Sequence, residues 1–294
     1  MNYVALTGGL GNQMFIYAFK VFLNKKSKTL LFHPYCDHSP RYGNSGYQLE
    51  KFFAIKKESL YDKFVLSLLT CYWHFISIFP KKVRRLLLRL IGIKEKVVLD
   101  NFVFYEEVIK EEYSHTLFLG TWQSEKYFIS AAEDIRKEFV FKVDSVNADT
   151  RSLLNKLPLL CTTVSIHIRR QDYLSPKYKS GFGGICTLDY YKNAVKFISN
   201  QINDPLFLVF SDDIEWCRKN LQLDNSMFID WNTGDNSWQD MLLMSNCKHN
   251  IIANSSFSWW GAWLNPNPEK IIIAPRIWWN GLKDDIVPDE WVRL

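Results

Sequence analysis

The sequence predicts an α/β protein built on parallel sheets, and three observations carry that reading. The chain opens as strand, glycine turn and helix, which is the start of a βαβ unit. Past residue 148, apolar strands alternate with helical stretches, the pattern of a parallel sheet wrapped on both faces. The 294 residues are 47% hydrophobic, enough for a sizeable core and too apolar for disorder. That length suggests roughly two domains of ~150 residues each, and a polar linker at 144–149 puts their boundary near 148.

In chain order, 3–7 is a short apolar strand. Gly8-Gly9-Leu10-Gly11-Asn12-Gln13 turns it into an apolar run, 14–23, with helical spacing. The turn is not G-x-G-x-x-G and no acid stands near position 30, so the dinucleotide fingerprint is missing. Leu30-Leu31-Phe32 reads as the second strand and 34–48 as a surface loop. Residues 117–123 read as a strand entering a loop, and 124–141 as a helix with charged residues on its outer face. After the linker, a short helix leads into an apolar, β-branched strand from 159 to 166. Helices are expected at 187–201, 213–220, 237–245 and 256–264, with strands at 206–210, 227–229, 250–253 and 270–274.

The net charge is +5. Lys81-Lys82-Val83-Arg84-Arg85-Leu86-Leu87-Leu88-Arg89 holds five cations and no acid, so the excess is local and does not suggest a nucleic-acid partner. Before it, 64–79 is almost wholly apolar but shorter than the ~20 residues of a membrane span. Two readings stay open for 64–89: peripheral contact with an anionic membrane, or a buried helix pair with a solvated basic face. The six cysteines (36, 71, 161, 186, 217, 247) lack regular spacing and read as reduced core thiols, not as disulfides or a zinc site. No signal peptide is recognisable after Met1, so the expected location is the cytoplasm. Aromatic residues are 16% of the chain; they serve as core more often than as sugar platforms.

Three strand ends carry chemistry. His167-Ile168-Arg169-Arg170-Gln171-Asp172-Tyr173 puts an imidazole, two guanidinium groups and a carboxylate where open α/β sheets collect ligands. Guanidinium forks suit a phosphate; the plainer reading is a surface ion pair of Arg170 with Asp172. Ser211-Asp212-Asp213 could bind a metal, ribose hydroxyls or the next helix as a cap. Asn254-Ser255-Ser256-Phe257 begins a very apolar helix, either as an anion site of unpaired N–H groups or as an ordinary N-cap. Together they supply what a nucleoside diphosphate needs.

With Gly8-Gly9-Leu10-Gly11-Asn12-Gln13-Met14, Phe210-Ser211-Asp212-Asp213 and Asn254-Ser255-Ser256-Phe257-Ser258-Trp259-Trp260-Gly261, this motif makes the chain resemble the bacterial-type α1,2-fucosyltransferases of glycosyltransferase family 11. The resemblance runs from residue 8 to 264. It implies a GT-B-like pair of Rossmann-type domains, an acceptor-side domain over 1–148 and a GDP-fucose-binding one over 149–294, with the active site in the cleft between them. It implies inverting, metal-independent transfer of fucose from GDP-β-L-fucose to the 2-hydroxyl of a β-galactoside, in surface-glycan or O-antigen synthesis. GDP-fucose would be the donor substrate, with no cofactor. By the same resemblance His167 contacts the nucleoside, Arg169 the diphosphate, and Ser256 with Phe257 the β-phosphate, with Ser255 read beside them as a further donor at the helix start. Asp240 would read guanine, Ser211 and Asp212 would meet the nucleotide sugar, and Gly9 and Gly11 would border it. Asn12 matches an active-site asparagine, and Asp172 is the nearest carboxylate for the acceptor's proton, which the departing phosphate could take instead. The family explains nothing in 64–92.

Overall fold

The computed structural model describes residues 1–33, 46–98, 102–160, 162–281 and 283–294. Cys36, Cys161 and most of the 34–48 loop lie outside the described residues. The chain divides into two units, Met1–Phe141 and Lys142–Leu294, each with its own parallel sheet.

The first unit holds β1 (Asn2–Ala5), β2 (Thr29–Phe32), β3 (Lys94–Val97) and β4 (Thr116–Leu119), in the order β2-β1-β4-β3. Helix α1 (Leu10–Asn24) joins β1 to β2. Gly8 sets its start with φ at +79°, a left-handed conformation that glycine adopts without strain. Phe19 of α1 stacks on Trp122 at 4.0 Å, anchoring the helix beyond the end of β4. Two helices, α2 (Leu60–Ser77) and α3 (Lys81–Leu90), fill the connection from β2 to β3. Ser59 caps α2 by accepting from the Asp62 N–H at 3.1 Å.

Sequence periodicity passed over β3, Lys94-Glu95-Lys96-Val97, because its alternation carries charges. Such residues suit an edge strand, where they discourage pairing with another chain. The long helix expected over 124–141 is also corrected. Two single 3₁₀ turns, Glu125–Tyr127 and Ile129–Ala131, precede a short helix, Ala132–Glu138. Tyr127 and Phe128 are fully buried there, so packing overrides helical continuity.

The second unit holds β5 (Thr163–Ile168), β6 (Leu206–Ser211), β7 (Ser226–Ile229), β8 (His249–Ile251), β9 (Ile272–Ala274) and β10 (Val292–Arg293). Their order is β10-β9-β8-β5-β6-β7, all parallel. The chain builds outward from β5 to β7, then returns and builds outward from β8 to β10. The order therefore reverses between β5 and β8, the position at which open α/β sheets bind ligands. Helices α4 (Ala148–Lys156), α5 (Leu188–Ser199), α6 (Trp238–Ser245) and α7 (Ser256–Leu264) are its longer helices. β5 starts later than the expected 159, because Pro158 belongs to a 3₁₀ turn, Leu157–Leu159.

A buried amide fixes β8 beside β5. Asn250 donates to Ser165 Oγ at 2.7 Å and to the Met244 carbonyl at 2.8 Å, and accepts from Asn265 at 2.8 Å. The tryptophans of α7 are core: Trp259 and Trp260 are fully buried, and Trp259 Nε1 donates to the Ile286 carbonyl at 2.8 Å. Among the described cysteines, Cys71, Cys186, Cys217 and Cys247 are free thiols.

Candidate active site

β5 ends at Ile168, so Arg169 and Arg170 stand past the strand at the β5/β8 reversal. His167 is still in the strand and buried, its ring centroid 5.8 Å from that of Phe257. Burial and then the Arg169 charge push its pKa down to about 3, so the imidazole is neutral. Its Nδ1 is buried without a hydrogen-bond partner. A buried polar atom left unpaired is costly, and a ligand group could satisfy it.

The adjacent arginines have different surroundings. Arg170 lies over the Trp216 ring at 3.9 Å, and its Nε meets Asp213 Oδ2 at 3.1 Å. Arg169 pairs with Asp172 and places its Nε 3.3 Å from Asp212 Oδ2. The pairing of Arg170 with Asp172 is therefore corrected: Arg169 takes Asp172, and Arg170 takes Asp213. The three options at 211–213 divide as well. Asp213 caps the helix Ile214–Asn220 by accepting from the Trp216 N–H at 3.3 Å. Asp212 accepts from the N–H groups of Arg170 at 2.8 Å and Gln171 at 3.2 Å. Desolvation raises the Asp212 pKa against the pull of Arg169 and those two donors. Ser211 Oγ accepts from the Asp213 N–H at 2.9 Å.

Across the reversal, β8 runs into the start of α7. Ser255 is the extended N-cap, and its Oγ accepts a long 3.4 Å bond from the Phe257 N–H. Serine hydroxyl, first-turn N–H groups and helix dipole thus face the same edge as Arg169. Asn254 locks the approach. Its Nδ2 donates to the Phe182 and Trp278 carbonyls at 3.1 and 3.2 Å, and its own carbonyl accepts from the Tyr173 hydroxyl at 2.8 Å. A 170 Å³ pocket lies here, bordered by Arg169, Arg170, Tyr173, Cys186, Trp216 and Asn254. Burial pushes the Cys186 thiol up to about 12, which leaves it protonated.

Asp240 sits in the first turn of α6. Because α6 follows β7 and α7 follows β8, both helices begin at the carboxyl edge of the sheet, and Gly261 of α7 packs against Met244 of α6. Desolvation pushes the Asp240 pKa up to about 8, opposed only in part by a 2.9 Å bond from Asn232 Nδ2. Asn232 accepts in turn from Asn147 at 2.7 Å and Thr150 at 3.0 Å. This relay fixes the carboxyl group, and spacing alone did not suggest Asn232.

In the first unit the β1 turn carries Gly9, Gly11 and Asn12. Asn12 Oδ1 accepts from Gln123 Nε2 at 2.6 Å, which ties the turn to the carboxyl end of β4. A Cβ at Gly8 would lie 2.7 Å from Asn12 Nδ2. Gln13 is buried and donates to the carbonyls of Gly8 at 2.9 Å and Gly46 at 2.8 Å. Sequence reasoning missed Gln123; its signal was a polar residue at the end of an apolar strand.

With this geometry in place, the model of Glycosyl transferase family 11 matches residues 1–294. The chain belongs to glycosyl transferase family 11. It is thereby a glycosyltransferase. An alpha-1,2-colitosyltransferase of Escherichia coli is 35% identical, over 98% of this chain and 97% of that protein. The O-antigen biosynthesis glycosyltransferase WbnK of the same organism is 32% identical over 99% of this chain and 100% of its own length. Galactoside alpha-(1,2)-fucosyltransferase 1 of Saimiri sciureus is 30% identical over 47% of this chain and 40% of its length. Among solved structures, the fucosyltransferase NodZ from Bradyrhizobium aligns with a TM-score of 0.53 at 11% identity, over 88% of this chain and 90% of that one. That likeness places this family 11 member in the same fold.

Proposed function

We propose that this glycosyltransferase transfers L-fucose from GDP-β-L-fucose to the 2-hydroxyl of a terminal β-galactoside, with inversion, in the synthesis of a surface glycan such as an O-antigen. One observation carries the reading. Arg169 and the first turn of α7 converge at the β5/β8 reversal, beside a neutral, buried His167. A departing diphosphate gathers negative charge as the fucosyl–phosphate bond breaks. Preorganised donors at developing charge are usually the largest catalytic contribution. Arg169, the Ser255 hydroxyl and the first turn of α7 supply them, and His167 offers its unpaired Nδ1 to the nucleoside.

Asp240 supports the choice of guanine. A carboxylate matches the adjacent N1–H and N2–H₂ donors of that base. The Asp212 oxygens meet Arg169 and two backbone N–H groups, so Asp212 orients Arg169 and has little left to offer a cation. The transfer accordingly proceeds without a metal. Asp172 or the departing phosphate takes the acceptor proton, and Asn12, held by Gln123, orients the acceptor. A pH–rate profile of Asp172→Asn separates the two: loss of the acidic limb assigns the base to Asp172, and its retention assigns it to the phosphate.

A second reading, with GDP-colitose as donor, is favoured by the name of the relative that is 35% identical over nearly its full length. The deciding experiment offers GDP-fucose, GDP-colitose, a UDP-sugar and a CMP-sugar to a panel of β-galactosides, in EDTA, with linkage analysis of the products. The expected product is an α1,2-linked fucoside, formed at the same rate with or without EDTA. Preference for GDP-colitose selects the second reading, and turnover of only UDP- or CMP-sugars overturns both.

A further inference from the structure

Helix α2 has two apolar faces, and only one is covered. Leu69, Trp73 and Ile76 recur at helical spacing and pack with Leu88 of α3 against Tyr3, Leu30 and Phe32 of the sheet. On the other side Tyr61, Phe64, Leu68, Phe75 and Ile78 lie three, four, seven and three residues apart, with the exposed Cys71 in the widest gap. They are 66%, 61%, 56%, 59% and 75% exposed. This second stripe runs the length of the helix. The segment is the helix pair that one sequence reading expected, with a solvated basic side, but it is buried on one face only.

Helix α3 continues the pattern. It joins α2 through the Tyr72 hydroxyl, which donates to the Leu87 carbonyl at 2.8 Å. Val83, Leu86 and Leu90 form an exposed apolar line, and Lys82, Arg85 and Arg89 a basic line one residue behind it. Arg84 and Arg85 both pair with Glu95 of β3, at 3.3 and 2.6 Å. Lys81, Lys82 and Arg89 have no ion-pair partner among the described residues.

We propose that the α2–α3 hairpin is a docking surface for an anionic lipid bilayer. Monomeric soluble proteins rarely leave so long an apolar stripe in water. Apolar side chains beside basic ones match the acyl boundary and the anionic headgroups of such a membrane. The charge also selects this occupant over a second copy of the chain. A twofold dimer through these helices would set the unpaired cations of one copy near those of the other. Among the described residues no helix is long and apolar enough to cross a membrane, so the contact is peripheral. Two signals, apolar insertion and basic attraction, are what stable surface binding requires.

The test is co-sedimentation of the full chain with vesicles of phosphatidylglycerol and phosphatidylcholine, against phosphatidylcholine alone. Wild type should pellet with the anionic vesicles at least tenfold better, and lose that advantage in high salt. Lys82→Gln/Arg89→Gln should bind about twenty-five-fold more weakly, at about fivefold per cation. Phe64→Ser/Leu68→Ser should also fail to pellet. Both variants should keep wild-type helicity and wild-type turnover of soluble donor and acceptor, since the four side chains are exposed and in a different unit from Arg169. Equal binding to both vesicles, or variants that bind like wild type, overturns the proposal. So does a dimer that Phe64→Ser/Leu68→Ser dissociates in a protein that binds no vesicles.

Discussion

Arg169 and Arg170 are neighbours with opposite commitments, and substitution should separate them. Arg169 keeps a partly exposed guanidinium at the sheet reversal. Arg169→Ala should lower kcat by ~10²–10³ with the fold intact, the usual effect of losing one donor to developing charge. Arg169→Lys should be almost as poor, because a point charge replaces a planar fork. Near-wild-type turnover in either variant would remove Arg169 from the reaction. Arg170 lies on Trp216 at 3.9 Å and pairs with Asp213. Its truncation should cost about 1–2 kcal/mol of stability, or roughly 2–8 °C in Tm by thermal denaturation. Asp240 gives a pH signature. Its pKa of about 8 means the free protein holds that carboxyl protonated at neutral pH. Guanine needs the carboxylate, so GDP binding should expel a proton. The Kd should tighten by up to tenfold per pH unit from pH 6 to 8, then level off. Asp240→Asn should bind weakly with a flat profile in the same titration calorimetry. The stability sign is opposite. Burial raises the folded pKa, so stability from the protonated form is full below about pH 4, the ordinary carboxylate range, and is lost progressively as pH rises to about 8. Asp240→Asn should therefore melt above wild type at pH 9 and no higher than it at pH 4.

At the scale of elements, the strand-to-helix junctions carry both fold and site, and they are where sequence was most informative. The β1 turn into α1, the end of β5 at Arg169 and the β8 entry into α7 all follow from an apolar run stopped by glycine, arginine or serine. Elements held together by packing were harder to read. β3 is charged, β10 is two residues long, and the 124–141 stretch breaks into 3₁₀ turns because Tyr127 and Phe128 must be buried. Asn232 and Gln123 act through bonds to residues far away in sequence, so spacing gave no sign of them. The β1 junction supplies a test. Gly8 combines a φ of +79° with a Cβ position 2.7 Å from Asn12 Nδ2. Gly8→Ala must displace Asn12 as well as strain the turn. It should reduce kcat at least tenfold while leaving the Kd for GDP, assigned to the second unit, unchanged. A parallel loss of GDP affinity would tie the β1 turn to the nucleotide instead.

At the scale of the whole molecule, two sheets with separate cores divide the work. Residues 1–141 present Asn12 and the exposed α2–α3 hairpin, and residues 142–294 hold the groups assigned to the nucleotide. The second sheet reverses its strand order between β5 and β8, and every nucleotide-assigned group of that unit except Asp240 comes from β5, β6 or the β8–α7 junction. A ligand bound there stabilises what it touches by mass action, about 2.7 kcal/mol at a hundredfold excess over Kd. Opening of β5, β8 and the first turn of α7 should become rarer by the same factor, about a hundredfold. Amide hydrogen exchange reads this directly, because local opening has its own free energy in each cooperative unit. Saturating GDP should slow exchange in 163–168 and 249–257 and leave the amides of β1 to β4 as they were. Protection spread evenly over both sheets would place the nucleotide against residues of each, and the assignment of Arg169, His167 and the α7 turn as its principal holders would fall.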